Sequence, residues 1–292
     1  MPAAPPISLV IATRDRAADL AATLDRLLGV PSPPPIVVVD NASSDATREV
    51  TRAASRRGPV TLVALSENRG AAARTVGVRT AGTPLVAFND DDSWWDPGAL
   101  PAAVELFGRF PRLGLAAGRV VVRDGGDDPV CEAMARSPMR VDEPLPGPAV
   151  LGFVACGAIV RRAAYLDVGG FHPRYGVGGE EGLLALDLWA AGHAVAYVPT
   201  LVAHHHASPS RDAGGRRAGE LRNDLWTLWL RRSARCVVAG TTGTLRSALV
   251  DADRRAGAAA ALAGLPWVVR ERRPVPAWLE VQAAAVAGGG GG

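Results

Sequence analysis

Over the first 120 residues the hydrophobic pattern alternates between two periods. Four runs, ISLVIAT (7–13), IVVVD (36–40), VTLVAL (60–65) and PLVAFND (84–90), are apolar at nearly every position, rich in β-branched residues and of strand length. Between them lie RAADLAATLDRLLG, SDATREVTRAASRRG and RGAAARTVGVRTAG. The first carries apolar positions at helical spacing and closes on Gly29; the second offers Ser44 or Asp45 as N-cap. Strands apolar on both faces, alternating with helices, predict a mainly parallel sheet covered on both sides. Ligands of such sheets sit beyond the carboxyl ends of the strands. Three polar clusters fall at those ends: Thr13-Arg14-Asp15, Asp40-Asn41 and Asn89 to Asp92.

After residue 120 the pattern changes. Residues 121–150 are turn-rich (RDGGDDPV, DEPLPGP). The apolar run GFVACGAIV (152–160) follows, then five glycines ahead of a helix starting near Glu180, whose Leu183, Leu184, Leu186 and Leu188 read as mostly buried. HAVAYVP and LVAHHH read as two short strands. From about 215 onward the chain reads as helices, RRAGELRNDLWTLWLRRS being amphipathic, and the glycine tail 288–292 as disorder.

With 48% hydrophobic residues and a mean hydropathy of +0.11, the 292-residue chain is globular. Cys131, Cys156 and Cys236 are far apart and show no CxxC spacing, which argues against a disulfide framework or a zinc site and suits a reducing cytoplasm. The N-terminus shows no secretory signal, and no apolar stretch approaches the roughly 20 residues of a spanning helix. All 32 basic residues are Arg. Residues 1–210 hold 19 Arg against 22 Asp and Glu; residues 211–292 hold 13 against 7, a net of +6. Such a basic C-terminal part suits either a solvated helical surface or an anionic partner, and Trp267 beside Arg270, Arg272 and Arg273 points to peripheral membrane contact. The negative charge of the first part and the lack of aromatics beside a basic groove argue against nucleic acid.

Neither GxGxxG nor GxxxxGK[ST] occurs, so a nucleotide would be held by other means. Asp90, Asp91 and Asp92 end an apolar strand. Three adjacent carboxylates need a countercharge, and hard oxygen donors suit Mg²⁺ or Mn²⁺. In an extended chain Asp90 and Asp92 point to one side and Asp91 to the other. His204, His205 and His206 offer imidazole to the same ion, alternate members facing one way. Glu180 and Glu181 suit either a dipole-favoured helix start or a general base whose pKa an apolar setting raises.

The combination resembles the family 2 glycosyltransferases, inverting nucleotide-sugar-dependent enzymes of the GT-A fold, over roughly residues 7–232. ISLVIATRDRAADLAATLDRLL looks like the family's opening strand and helix, with Ala12-Thr13-Arg14-Asp15 where Pro-Thr-Tyr-Asn is usual. IVVVDNASSDAT is similar to its second strand, whose aspartate, here Asp40, contacts the nucleoside. ENRGAAARTVGVRTAG implies that Asn68, Gly70 and Arg74 lie near the nucleotide, and FNDDDSWWDP corresponds to the DxD region. The segment around Glu180-Glu181 resembles the acceptor-side Glu-Asp position, with Leu183 where a further aspartate is common. AHHHASPSRD resembles the region that often supplies a metal-binding His.

The resemblance implies a Rossmann-like, mixed but mainly parallel GT-A sheet with a C-terminal helical extension. The catalytic domain would span 1–214, with its nucleotide-binding part at about 7–120 and its acceptor-binding part at about 121–214; the extension would cover 215–287. Thr13, Arg14, Asp15, Asp40, Asn68, Gly70, Arg74, Asp90 and Asp91 would bind the nucleotide. Asp90 and Asp92, with His204 or His206, would bind the metal. Glu181 or Glu180 would act as base, and Trp94 or Trp95 would stack on a sugar. The implied partners are a UDP-, dTDP- or GDP-sugar and a glycan or lipid-linked acceptor, met in the cytoplasm or at the inner face of the plasma membrane in making cell-envelope polysaccharide. Two other readings remain: a sugar-phosphate nucleotidyltransferase, against which the glycine-free ATRDRAADL counts, and a degenerate nucleotide- or glycan-binding scaffold.

Overall fold

A computed structural model describes residues 6–206, 216–248 and 251–289. Strands β1 (Ile7–Thr13), β2 (Ile36–Asp40), β3 (Val60–Ala64) and β4 (Leu85–Asn89) run parallel. Helices α1 (Ala17–Leu28), α2 (Thr47–Ser55) and α3 (Ala73–Thr80) connect them. The period-two alternation sorts the buried positions into two cores. Val10, Val37, Val39, Val86 and Phe88 face one layer; Leu9, Ile11, Ile36, Val38 and Leu85 face the other. Both layers are dry, which is why these strands show no polar alternation. In register Thr13 pairs with Asp40, and Ile11 with Asn89. The polar strand ends therefore meet along one edge.

The complete sheet has the order β3-β2-β1-β4-β7-β6-β8-β5. Its second half comprises β5 (Ser93–Trp95), β6 (Leu113–Val122), β7 (Ala158–Arg161) and β8 (Ala194–His205). β7 runs antiparallel to β4 and β6, β8 parallel to β6, and β5 antiparallel to β8. The sheet is thus mixed and mainly parallel. One expectation changes here. HAVAYVP and LVAHHH form one strand, whose register against β6 skips from Val198 to Val202 and so absorbs Pro199. Ser93-Trp94-Trp95 forms a strand of its own before α4 (Ala99–Arg109).

Helices α5 (Pro129–Ala135), α6 (Arg162–Asp167) and α7 (Glu180–Ala190) complete the first 206 residues. The C-terminal helices are α8 (Arg216–Arg231), α9 (Ala234–Ala248), α10 (Ala252–Ala263), α11 (Leu265–Glu271) and α12 (Ala277–Gly289). A third core joins Trp226, Trp229 and Trp267 of these helices to Tyr175 and Leu183, with the Trp226 and Trp267 rings edge to face at 5.0 Å. α12 returns to the sheet unit, burying Leu279 and Ala283 in its first core. Of the expected glycine tail, 288 and 289 are helical and 290–292 lie outside the described residues. Among the described residues no helix is long and apolar enough to cross a membrane.

Candidate active site

The three aspartates form a tight turn between β4 and β5, in which the Ser93 amide donates to the Asp90 carbonyl (3.3 Å) and the Asp90 amide donates to Ser93 Oγ (2.7 Å). Their side chains diverge, and each meets a cation or a hydroxyl. Asp91 accepts from Thr13 Oγ1 (2.7 Å) and Arg16 Nε (3.4 Å). Burial, then the neighbouring Asp90 and Asp92, raise its pKa to about 6. Asp92 accepts from Arg16 Nη2 (3.1 Å) through Oδ2, and Asp90 pairs with Arg74 through Oδ1. The remaining oxygens turn to one imidazole: His205 Nε2 lies 3.3 Å from Asp92 Oδ1 and 3.7 Å from Asp90 Oδ2.

The phase of the histidine triplet sets which imidazole stands beside the aspartates, and it is the middle one rather than the expected His204 or His206. β5 pairs Ser93 with His205 and Trp94 with His204, which puts His205 beside the carboxylates. His204 and His206 turn to the other face. There His204 stacks on Trp94 (5.3 Å between ring centroids) and lies 2.7 Å from Asp96 Oδ1, while His206 meets the edge of the same indole. The Arg26 guanidinium also covers Trp94, 3.9 Å from its centroid. Trp95 is core, its indole N–H donating to the Phe88 carbonyl (3.2 Å). Neither tryptophan lines the cavity described next, so the expected stacking platform is not found there. Residues 207–212 of AHHHASPSRD lie outside the described residues.

A cavity of about 890 Å³ opens at the strand ends, lined by Thr13, Arg14, Asp15, Asn68, Gly70, Arg74, Asp90 and Asp91. Asp40 is the exception among the expected nucleotide contacts. It is fully buried, its carboxylate accepting from the Ser43 amide (3.0 Å) and Arg48 Nε (2.5 Å). Asn41 lines the wall instead, donating to the Gly70 carbonyl and accepting from the Arg69 amide. Asp15, at φ 51°, accepts from the Ser44 amide (2.7 Å), a bond that leads in holding its pKa below the ordinary value. Its carboxylate ties two loops together. Arg14, Arg16, Arg69, Arg74, Arg174 and Arg222 outnumber the acids of the wall, and their planar forks suit phosphate oxygens. Gly70, at φ 53°, lets the wall close: a Cβ there would stand 2.6 Å from the Gly176 backbone, whose carbonyl accepts from the Ala71 amide (2.7 Å).

α7 opens on Glu180 and Glu181, behind Gly179 at φ 81°; neither lines the cavity, but both lie near enough to Asp90 and Arg74 to feel their charge. Burial raises both carboxyl pKa values. Glu181, pressed further by Glu180, reaches about 7, while Arg74 is the positive charge opposing both shifts. Glu180 is 3% exposed, and its Oε2 has no hydrogen-bond partner, nor has the buried Nε of Arg74. Arg74 thus connects the aspartate turn to the glutamate pair.

The loop ahead of α7 is held from the C-terminal helices. Arg222 Nη2 donates to the Tyr175 carbonyl (2.6 Å), and the buried Asn223 amide donates to the carbonyls of Tyr175 (2.9 Å) and Gly178 (2.5 Å). Arg16, Arg222 and Asn223 stand at the site without having been singled out from the sequence, while Asn41 reads there only as part of a strand-end cluster, His205 only as the middle of its triplet and Cys156 only as an isolated thiol. One carboxylate oxygen of Asp90, a ring nitrogen of His205 and Cys156 Sγ lie within 4.8 Å of one another. Carboxylate with imidazole in a buried setting fits a divalent cation. Trp267, expected to face a membrane, is buried against His172 and Trp226.

The sequence profile described as Glycosyl transferase family 2 matches residues 8–169. The chain is 31% identical over 221 residues to the pre-mycofactocin glycosyltransferase of Mycobacterium tuberculosis, covering 73% of this chain and 45% of that one. It is 28% identical over 265 residues to that organism's N-acetylglucosaminyl-diphospho-decaprenol L-rhamnosyltransferase, covering 76% of this chain and 85% of that one. It therefore spans under half the length of the former. Among solved structures it resembles the mannosyltransferase PcManGT of Pyrobaculum calidifontis, in complex with GDP-Man and Mn²⁺, at 22% identity and a TM-score of 0.61, over 99% of this chain and 76% of that one. It also resembles TarS of S. aureus, at 17% identity and a TM-score of 0.58, over 75% and 39%. These neighbours share the mixed, mainly parallel sheet flanked by helices.

Proposed function

The chain belongs to glycosyl transferase family 2, and from that premise we propose that it moves a sugar from a nucleoside-diphosphate sugar to an acceptor hydroxyl, with inversion at the anomeric carbon. The observation that carries this reading is the position of Arg74, between Asp90 and a glutamate pair whose proton affinity burial has raised. The arginine-rich wall would receive the diphosphate, with Thr13, Asn68 and Gly70 at the same cavity. Asp90, Asp92 and His205 would hold a divalent cation, which when bound supplies positive charge to the leaving diphosphate.

Glu181 takes the proton of the acceptor hydroxyl. The freed oxygen bonds to the anomeric carbon from the face opposite the diphosphate, and the carbon–oxygen bond to phosphate breaks with its electron pair on the departing nucleotide. Glu180 sets the proton affinity of Glu181 by proximity, and Arg74 keeps the pair ionisable near neutral pH. The name of the rhamnosyltransferase relative, whose substrate is lipid-linked, supports an acceptor presented at a membrane, and the net +6 of residues 211–292 supports peripheral contact with an anionic surface.

Nucleotide release from UDP-, GDP- and dTDP-sugars, with a divalent metal or EDTA, tests the reading. One donor should turn over slowly without acceptor, in a metal-dependent reaction that Asp92→Ala abolishes. Failure of every donor both to react and to bind would overturn the assignment.

A further inference from the structure

Cys156 plays no part in the reaction just described, yet it sits where that reaction would keep its cation. It is 1% exposed, on the short turn 155–157 that leads into β7. Its Sγ, one Asp90 oxygen and a ring nitrogen of His205 form a cluster within 4.8 Å, and Asp92 Oδ1 lies 3.3 Å from Nε2 of the same imidazole. The two carboxylates are already oriented for a shared centre: Asp90 gives Oδ1 to Arg74 and Asp92 gives Oδ2 to Arg16, while the other oxygen of each faces His205. An O, N and S donor set at one buried point differs in kind from an all-oxygen site. Thiolate sulfur favours Zn²⁺, Co²⁺ and Cd²⁺, whereas Mg²⁺ takes oxygen almost exclusively.

We propose that Cys156 is a ligand of the cation site together with Asp90 and His205, and that its sulfur makes the site prefer thiophilic divalent ions to Mg²⁺. Binding exchanges the thiol proton for the metal, so one proton leaves for each metal–sulfur bond formed. The inference rests on reading this site as a cation site, but its test requires no turnover.

Metal-stripped full-length protein is titrated with Cd²⁺ and with Co²⁺ while the ultraviolet sulfur-to-metal charge-transfer band is followed. Competition with Mg²⁺ and Mn²⁺ is measured in parallel. The band should saturate at one ion per chain and persist in Cys131→Ser/Cys236→Ser, which leaves Cys156 as the sole thiol. It should vanish in Cys156→Ser, with Cd²⁺ affinity reduced about tenfold or more and Mn²⁺ affinity changed by less than about threefold. Because the double variant leaves Cys156 untouched, misfolding of the serine variant does not block the test. Absence of the band from the wild type, or its survival in folded Cys156→Ser, overturns the thiol ligand. If Mn²⁺ still binds in either case, the cation site of the proposed reaction stands. If no divalent ion binds at all, both fall.

Discussion

Glu181 carries opposite demands from folding and from catalysis. Burial raises its pKa from the ordinary 4.5 to about 7, so the folded chain favours its protonated form. The stability this represents is complete below the unfolded pKa and is lost as pH rises through about 7. A general base needs the ionised form, so the proposed activity rises over the interval in which that stability falls. Glu181→Gln should therefore gain about 1–3 kcal/mol of stability at pH 8 and almost nothing at pH 5, while losing on the order of 10²–10⁴ in kcat. Thermal melts at the two pH values, with kcat from nucleotide release, check both halves. Glu180→Gln removes the negative neighbour and should move the acidic limb of the kcat/KM profile to lower pH. A limb that stays in place would remove Glu180 from the role of tuning Glu181. Two adjacent glutamates allow a base in an apolar setting but do not select it: the upward shifts come from burial that no local pattern discloses, and the charge that opposes them, Arg74, lies more than 100 residues earlier.

At the scale of elements, the phase of one strand decides which histidine meets the aspartates. Alternation along 204–206 was legible; its phase was not, because that depends on Ser93-Trp94-Trp95 forming a strand that pairs with β8. Two tryptophans before a proline read equally well as the start of a helix. His205→Ala should weaken Mn²⁺ binding at least about tenfold, and His204→Ala should leave it unchanged while costing about 1 kcal/mol through the lost contacts to Trp94 and Asp96. Calorimetric titration of both variants decides between the faces, and the reverse ranking would restore the sequence expectation. Thr13, Asp90 and Asp91 meet at one cavity because strand ends of a parallel sheet converge whatever the register, whereas Arg74, on α3, is expected there from the resemblance alone. Asp40 shared that strand-end position but faces inward to Arg48. The loop ahead of α7 depends likewise on an element remote in sequence. Asn223→Ala takes its donor from the Gly178 carbonyl and leaves the Tyr175 carbonyl to Arg222 alone, at a cost of about 1–3 kcal/mol. Because the displaced loop leads into the glutamates that open α7, kcat should fall while donor KM changes less than about threefold. An equal loss in both would mean that α8 shapes the donor pocket instead.

For the whole molecule, the division of charge along the chain and the packing of the C-terminal helices bear on where the protein works. The alternating pattern predicted the layered sheet correctly, and composition separated a basic C-terminal part from an acidic remainder. The contacts between them were hidden, since Trp226, Trp229 and Trp267 look the same in sequence whether they face lipid or one another. They face one another, which removes the residue first expected to touch a membrane. What is left exposed is a different surface: Val238, Leu262, Leu265 and Val269 rim a groove of about 510 Å³ formed by α9, α10 and α11. Arg235, Arg270 and Arg273, also exposed, lie close by in sequence. Apolar side chains with a guanidinium fringe match the boundary of an anionic bilayer, where burial of the first and attraction of the second add. Full-length protein should therefore co-sediment with phosphatidylglycerol vesicles at low salt, and release as salt rises. Val238→Asp/Val269→Asp should lose that binding while retaining nucleotide release, because neither side chain lines the cavity at the strand ends. Should the double variant sediment as well as the wild type, the attraction is electrostatic alone and the groove has another use. Should the wild type fail to sediment at low salt, the basic charge of the C-terminal helices serves only their solvation.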